Sequence, residues 1–251
     1  MDPAATRLLT SLTELINKAQ QGKLPDFLYK HLADAELLAL KKGADDVRPI
    51  AMGNMLRKLV SRALAMQYRE QMETFFAPLQ FGVGISQGAE VVVHATRVMM
   101  DQHPDWVVFK TDFRNAFNSV CRAKALEVVR QEFPQLLPWL QSIYSEHSHL
   151  WMQSDAGLGG GARDFIRSEE GAQQGDPLGP FLFCVAMQQV LVQANAVLSA
   201  AGGFALGYMD DITGIGPVEV VADVLKVIGD AAAEIGLELQ LQKCSVFLSS
   251  R

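Results

Sequence analysis

Positive charge is scarce in this chain of 251 residues: 22 lysines and arginines face 28 aspartates and glutamates, a net charge of −6. That balance is the wrong sign for a surface that grips phosphates by charge alone. Any polyanion would have to meet locally clustered cations or cations brought in as metal ions. Cysteine is just as sparse. Cys121, Cys184 and Cys244 form an odd set without metal-ligand spacing, which excludes a disulfide scaffold and reads as reduced core residues of an intracellular protein. No run of 18 or more apolar residues suggests a membrane span, and Met1-Asp2-Pro3 has neither region of a signal peptide. Repeats and low-complexity tracts are absent. His147 and His149 lack the further Cys or His that a zinc site requires. Gly157-Leu158-Gly159-Gly160-Gly161 has no GK[ST] after it and reads as a hairpin turn, while Gly82-Val83-Gly84 departs from dinucleotide-binding spacing.

A hydrophobic content of 49% is enough for a packed core, in two subdomains. The pattern predicts an amphipathic helix over 4–20, a Pro/Gly-punctuated stretch through Gly43 and a strand at 47–51. A long helix over 54–76 follows, capped by Asn54 and bearing Arg57, Lys58, Arg62 and Arg69. Lys58 and Arg62, four apart, share one helical face. Such a face is equally an ordinary solvated surface. Further helices are predicted over 87–102, capped by Ser86, over 122–133, from Leu178 towards Ala201 and over 218–235. Short strands are expected at 238–241 and 245–248.

The most informative residues are Tyr208-Met209-Asp210-Asp211. They lie between Phe204-Ala205-Leu206-Gly207 and Ile212-Thr213-Gly214-Ile215, a strand-turn-strand pattern with two acids at its tip. Two like charges at ~4 Å repel by about 4 kcal/mol at an effective dielectric of 20, so a cleft keeps them only with a compensating cation or proton. Alone, the pair also fits an exposed acidic tip. A third acid changes the balance: Trp106-Val107-Val108-Phe109-Lys110-Thr111-Asp112 is an apolar strand ending on a carboxylate. Three carboxylates from neighbouring strands suit hard divalent ions and phosphoryl transfer.

Lys110-Thr111-Asp112-Phe113-Arg114-Asn115-Ala116-Phe117 and Tyr208-Met209-Asp210-Asp211 resemble the first and third palm motifs of reverse transcriptases. Glu170-Gly171-Ala172-Gln173-Gln174-Gly175-Asp176-Pro177-Leu178-Gly179-Pro180 is similar to the GxxQGDPLSP motif of non-LTR retrotransposon and group II intron enzymes, with Gly179 where serine is usual. Asp176 suits a helix N-cap there and Pro177 the first turn. Gly236 to Cys244 resembles the motif ending in an active-site lysine. Arg48-Pro49-Ile50 and Gln80-Phe81-Gly82-Val83-Gly84 with Glu90 resemble finger motifs.

The resemblance implies an α/β (α+β) right-hand polymerase. A palm of antiparallel strands backed by helices would occupy 106–251, with a finger-linked insertion around 145–170. Mostly helical fingers would occupy 1–105, and the thumb would be absent. It implies synthesis of DNA on an RNA template, extending a DNA or RNA primer with deoxynucleoside triphosphates and two Mg²⁺ or Mn²⁺ ions. Asp112, Asp210 and the Phe113 carbonyl would hold metal, Asp211 would support them and Lys243 would protonate pyrophosphate. Arg48, Phe113, Arg114, Asn115, Ala116, Phe117, Gln174 and Gly175 would bind the nucleotide, Phe117 excluding a ribose hydroxyl. Lys58, Arg62, Gln80, Gly82, Tyr208 and Met209 would contact nucleic acid. The competing readings are a catalytically reduced, retroelement-derived nucleic-acid-binding domain, an RNA-dependent RNA polymerase and a nucleotide cyclase.

Overall fold

A computed structural model describes residues 2–41, 47–152 and 164–248. In chain order they form α1 (Pro3–Gln20), α2 (Asp26–Ala33), β1 (Ala35–Lys41), β2 (Val47–Gly53), α3 (Met55–Gln67), α4 (Arg69–Phe76) and α5 (Gly88–Gln102). Then come β3 (Val107–Lys110), α6 (Ala116–Ser119), α7 (Arg122–Glu132), α8 (Leu137–Tyr144), β4 (Ser148–Met152) and β5 (Phe165–Ser168). The chain continues through α9 (Gly179–Ala200), β6 (Phe204–Tyr208), β7 (Asp211–Gly216), α10 (Val221–Glu234) and β8 (Ser245–Leu248). The glycine run at 157–161 lies outside the described residues.

Two compact units divide the chain, 1–67 with 126–179 and 68–125 with 180–251. The expected boundary at 105/106 is replaced by interleaving, because the hydrogen-bonded partners of each sheet come from distant segments. The first unit carries a sheet in the order β2-β1-β4-β5. β1 runs antiparallel to β2 and parallel to β4, so the mostly helical 1–105 region also contributes two strands to a mixed sheet. The sequence reading missed β1 because Ala35-Glu36-Leu37-Leu38-Ala39-Leu40-Lys41 is built of good helix formers, which pairing with both neighbours overrides. Trp139, Leu136, Leu140, Val60 and Leu64 are buried in this unit's core.

The second unit holds an antiparallel sheet in the order β6-β7-β3-β8. The expected pairing of the 106–112 strand with the 204–215 hairpin is found: Val107 pairs with Gly216 and Lys110 with Thr213. Met99 and Met100 of α5 pack on Trp106, Val108 and Ile215. Phe109 fills the room above Gly214, where a Cβ would come within 2.0 Å of its ring. α9 is long and apolar enough by composition to cross a membrane, but 67% of that window is buried inside the protein, as in a core helix. Residues 238–241 do not form the expected strand; Leu239 makes an isolated bridge to Phe113 and Leu241–Lys243 is a 3₁₀ turn.

The helix predicted over 54–76 is two helices, α3 and α4, interrupted at Tyr68. Asn54 does cap α3, its Oδ1 accepting from Arg57 N at 2.9 Å. Ser86 does not cap α5. Its hydroxyl accepts from Arg69 Nη2 at 2.7 Å, and the residue before α5 is Gln87 at φ 59°.

Candidate active site

Local chain chemistry places two acids at one end of the second unit's sheet. The β3–β7 register continues past its last paired residues through Thr111, whose N–H donates to Ile212 O at 3.1 Å and whose Oγ1 accepts from Ile212 N at 3.3 Å. Asp112 follows Thr111 directly, close enough for its charge to reach Asp211. Asp210 occupies the two-residue turn between Tyr208 and Asp211, which pair with each other. The approach of like charges registers in Asp211. Desolvation raises its carboxyl above the ordinary aspartate range, Lys110 draws it down and Asp112 pushes it up again, leaving it raised.

Among the described residues, no three His, Cys, Asp or Glu side chains gather where one ion would be held. The expected convergence of three carboxylates on one ion is not found among these residues; the charge of Asp112 reaches Asp211, and Asp210 occupies the adjoining turn. The hard oxygen donors still suit Mg²⁺ or Mn²⁺.

Neighbouring residues are fixed around this end. Gln240 N donates to Asp112 O at 2.8 Å, tying the 3₁₀ turn that ends in exposed Lys243 to the acid's own backbone. Phe113 is buried. Exposed Arg114 pairs with Glu238 at 3.3 Å, and Asn115, at φ 46°, starts α6. Ala116 is buried. Phe117 is half-buried and stacks on Phe183 of α9, ring centroids 4.4 Å apart and planes at 13°. Burial, with Asp210's charge adding to it, pushes the Cys184 thiol far above its usual value, and its Sγ lies 4.0 Å from Met209 Sδ. Tyr208 is exposed at the tip.

One expected nucleic-acid contact in this unit, Gln80, is corrected by its burial. Gln80 is fully buried, its side-chain amide bonded to the backbone of Met209. Gly82 packs where a Cβ would come within 2.6 Å of Met209 N. Both surround the acidic turn as support. Lys110 and Thr111 stand in the strand and in the first palm-like motif, and only the register shows what each contributes.

The first unit holds the remaining predicted residues. Arg48 is exposed on β2 and Arg62 on α3, while Lys58 is half-buried with Nζ 3.6 Å from Met52 Sδ. Arg57, counted in the same basic surface, is 1% exposed and pairs with Asp176. Its Nη2 and Nε donate to Asp176 Oδ2 at 2.6 and 3.1 Å, and its Nη1 to Gln173 Oε1 at 2.7 Å and Ala33 O at 3.0 Å. Asp176 also accepts from Tyr144 Oη at 2.9 Å and, as the expected cap, from Leu178 N at 3.0 Å. Next to it, Gln174 O accepts from Ala51 N at 2.7 Å, and Gly175, at φ 120°, sits where a Cβ would come within 2.5 Å of Ala51 O. Only glycine combines that φ with that approach.

Residues 39–251 match the family model for reverse transcriptase (RNA-dependent DNA polymerase). The chain belongs to that family. The retrotransposable element SLACS 132 kDa protein of Trypanosoma brucei gambiense is 25% identical over 227 residues, which cover 86% of this chain and 18% of that protein. Apo telomerase from Candida tropicalis is similar in fold, with a TM-score of 0.60 at 11% identity over 87% of this chain and 45% of that one. Telomerase from Candida albicans, in complex with a TWJ fragment of telomeric RNA, gives 0.58 at 13% over 91% and 43%. The chain thus spans less than half of these two telomerase chains and under a fifth of the curated relative. The telomerase likeness speaks to fold alone.

Proposed function

We propose that this chain carries the nucleotidyl-transfer centre of a retroelement reverse transcriptase, extending a DNA or RNA primer along an RNA template with deoxynucleoside triphosphates. The observation that carries it is the end of the β3–β7 ladder, where the charge of Asp112 reaches Asp211 and Asp210 occupies the adjoining turn. The acids fit divalent ions because their donors are hard oxygens and Lys110 compensates Asp211 only in part. Asp112, Asp210 and the Phe113 carbonyl are the residues that would hold two such ions, Mg²⁺ or Mn²⁺. When bound, the ions supply activation of the primer 3′-oxygen and neutralisation of triphosphate charge.

The protein's own part is positioning. Thr111 locks the two strands at the acids, Gln240 anchors the turn bearing Lys243, and Lys243 stands to protonate the leaving pyrophosphate. Arg48, Arg114, Gln174 and Gly175 would meet the incoming nucleotide, and Lys58 and Arg62 the nucleic acid. Phe117 would press its ring on the sugar at C2′. Phe117→Val should raise ribonucleotide incorporation by about ten- to hundred-fold while costing deoxynucleotide use less.

The net charge of −6 favours a second reading, a reduced domain with little catalysis. Primer extension on homopolymer RNA, parent against Asp210→Asn, separates the two. Synthesis in the parent that falls to background in the variant supports transfer. Equal extension by both, or none by the parent, defeats it.

A further inference from the structure

We propose that Gln80 is a positioning residue for Asp210, acting through the Met209 peptide; the proposal rests on the nucleotidyl-transfer reading above. Met209 has φ 57° at the first central position of the hairpin turn. A residue with a side chain adopts that backbone at a steric cost, which is why such turns favour glycine. Something must hold methionine there.

Gln80 supplies it. Its Nε2 donates to Met209 O at 3.1 Å, and its Oε1 accepts from Met209 N at 2.9 Å and from Gly82 N at 2.9 Å. Both arms of one carboxamide are spent on one residue's two backbone groups, as a neighbouring strand would spend its own. The main chain around Gln80 is already laid along β6: Phe81 N donates to Gly207 O at 2.8 Å and Gly207 N to Leu79 O at 2.7 Å. The side chain carries this ladder past the strand's end and onto the turn. Two glycines clear its path. A Cβ on Gly207 would lie 2.9 Å from Gln80 Nε2, and one on Gly82 would lie 2.6 Å from Met209 N.

The consequence falls on the next residue. The carbonyl of Met209 belongs to the peptide plane that leads into Asp210, so fixing that oxygen fixes the direction from which the carboxylate departs. Reacting groups tolerate misplacement poorly, about 1 Å costing on the order of a hundredfold in rate. At 0% exposure Gln80 has no surface to offer a base or phosphate, so its effect must pass through the turn.

The test uses Gln80→Met, which keeps length and removes both arms, alone and combined with Met209→Gly, whose glycine takes positive φ unaided. Hydrogen exchange in Gln80→Met should show protection over 207–212 lowered about tenfold or more, with β3 within about twofold of the parent. In primer extension kcat should fall about ten- to hundred-fold with KM for the nucleotide within about threefold, and the loss should shrink to under about threefold in the Met209→Gly background. Should Gln80→Met fail to fold, Gln80→Glu retains the acceptor arm and removes the donor, and its exchange at the turn decides. Unchanged protection at the turn, an effect carried by KM, or losses that simply add would each overturn the proposal. A parent without any primer extension sinks the transfer reading alone, since exchange still reads the clamp.

Discussion

Asp176 and Asp211 are aspartates in opposite predicaments. Burial by itself would raise the Asp176 carboxyl, but Arg57, the Leu178 N–H and the Tyr144 hydroxyl outweigh it and hold the group below the usual carboxylate range. Arg57 is shifted the other way: burial lowers it, yet Asp176 and Tyr144 leave it raised. The charge is fully answered, and the carboxylate serves the fold. Asp211 keeps contact with solvent but has desolvation and Asp112 against it, with Lys110 a partial answer, so its carboxyl ends above the ordinary range. A fold that saturates one acid and leaves another short of positive charge separates structure from chemistry, because an unanswered carboxylate is one that still has something to bind.

Breaking the Asp176 arrangement should have the largest effect. Arg57→Leu leaves a buried carboxylate unpaired, which costs about 3–5 kcal/mol. Urea unfolding of the variant should show that loss in the transition of the first unit. The double variant Arg57→Leu/Asp176→Asn should lose less than Arg57→Leu alone, because the stranded charge is gone. The pH dependence should also invert. In the parent, Asp176 has a lowered carboxyl, so its contribution is fully present above the unfolded value, ~3.9, and is lost as pH falls towards the folded one. In Arg57→Leu, burial dominates, the carboxyl is raised, and stability should instead fall as pH rises through the acid range. An unchanged sign would mean that Arg57 is not what answers the charge.

Next in size is Asp210→Asn, which keeps the turn's shape and removes one charge beside Asp211. Primer extension should drop at least about a hundredfold, near 2.7 kcal/mol of transition-state stabilisation, while the thermal midpoint stays within a few degrees. The contrast with Arg57→Leu is the point: one substitution should cost stability and the other rate. A large fall in the Asp210→Asn midpoint would erase the distinction.

Much of the second site was legible in the sequence and little of the first. The strand ending at Asp112 and the hairpin around Tyr208–Asp211 declare themselves by apolar runs closed on acids, and their pairing follows once they are neighbours. Asp176 reads correctly as a helix cap but gives no hint of Arg57, its partner 119 residues away. Arg57 likewise sits among Lys58, Arg62 and Arg69 in a helical pattern that looks like a basic surface, and only packing takes it inside. β1 escaped notice because helix-forming residues were recruited into a sheet by their partners. Gln80 lies within a finger-like motif that points to nucleic acid, and nothing local says that its amide is buried against Met209. Local patterns carry strands, turns and caps; contacts distant in sequence carry charge compensation.

The Lys110 partnership is open to a finer probe. Lys110→Met should raise the Asp211 carboxyl further, since it removes the cation that draws it down and leaves desolvation and Asp112. Measured by NMR titration of the Asp211 side chain in a chelated sample, the midpoint should move up. A midpoint that stays put would mean Lys110 points away from the acids in solution.

Asp211→Asn should have the smallest effect and the most telling sign. Because the Asp211 carboxyl is raised on folding, its ionised form is less favourable in the folded chain than in the unfolded one. Below the ordinary aspartate value, ~3.9, both states are protonated and no penalty exists; as pH rises past the folded value the penalty is complete. Asn carries none of it, so the variant should be more stable than the parent at pH 7. The gain should stay under about 1 kcal/mol because the site remains open to solvent and screening, and it should vanish as pH falls towards that of the free side chain. Millimolar Mg²⁺ should then raise the parent's thermal midpoint more than the variant's, since the ion meets the charge that the protein leaves unanswered. A variant less stable than its parent at neutral pH without metal would show that Asp211 is compensated as fully as Asp176, and the contrast between the two acids would fail.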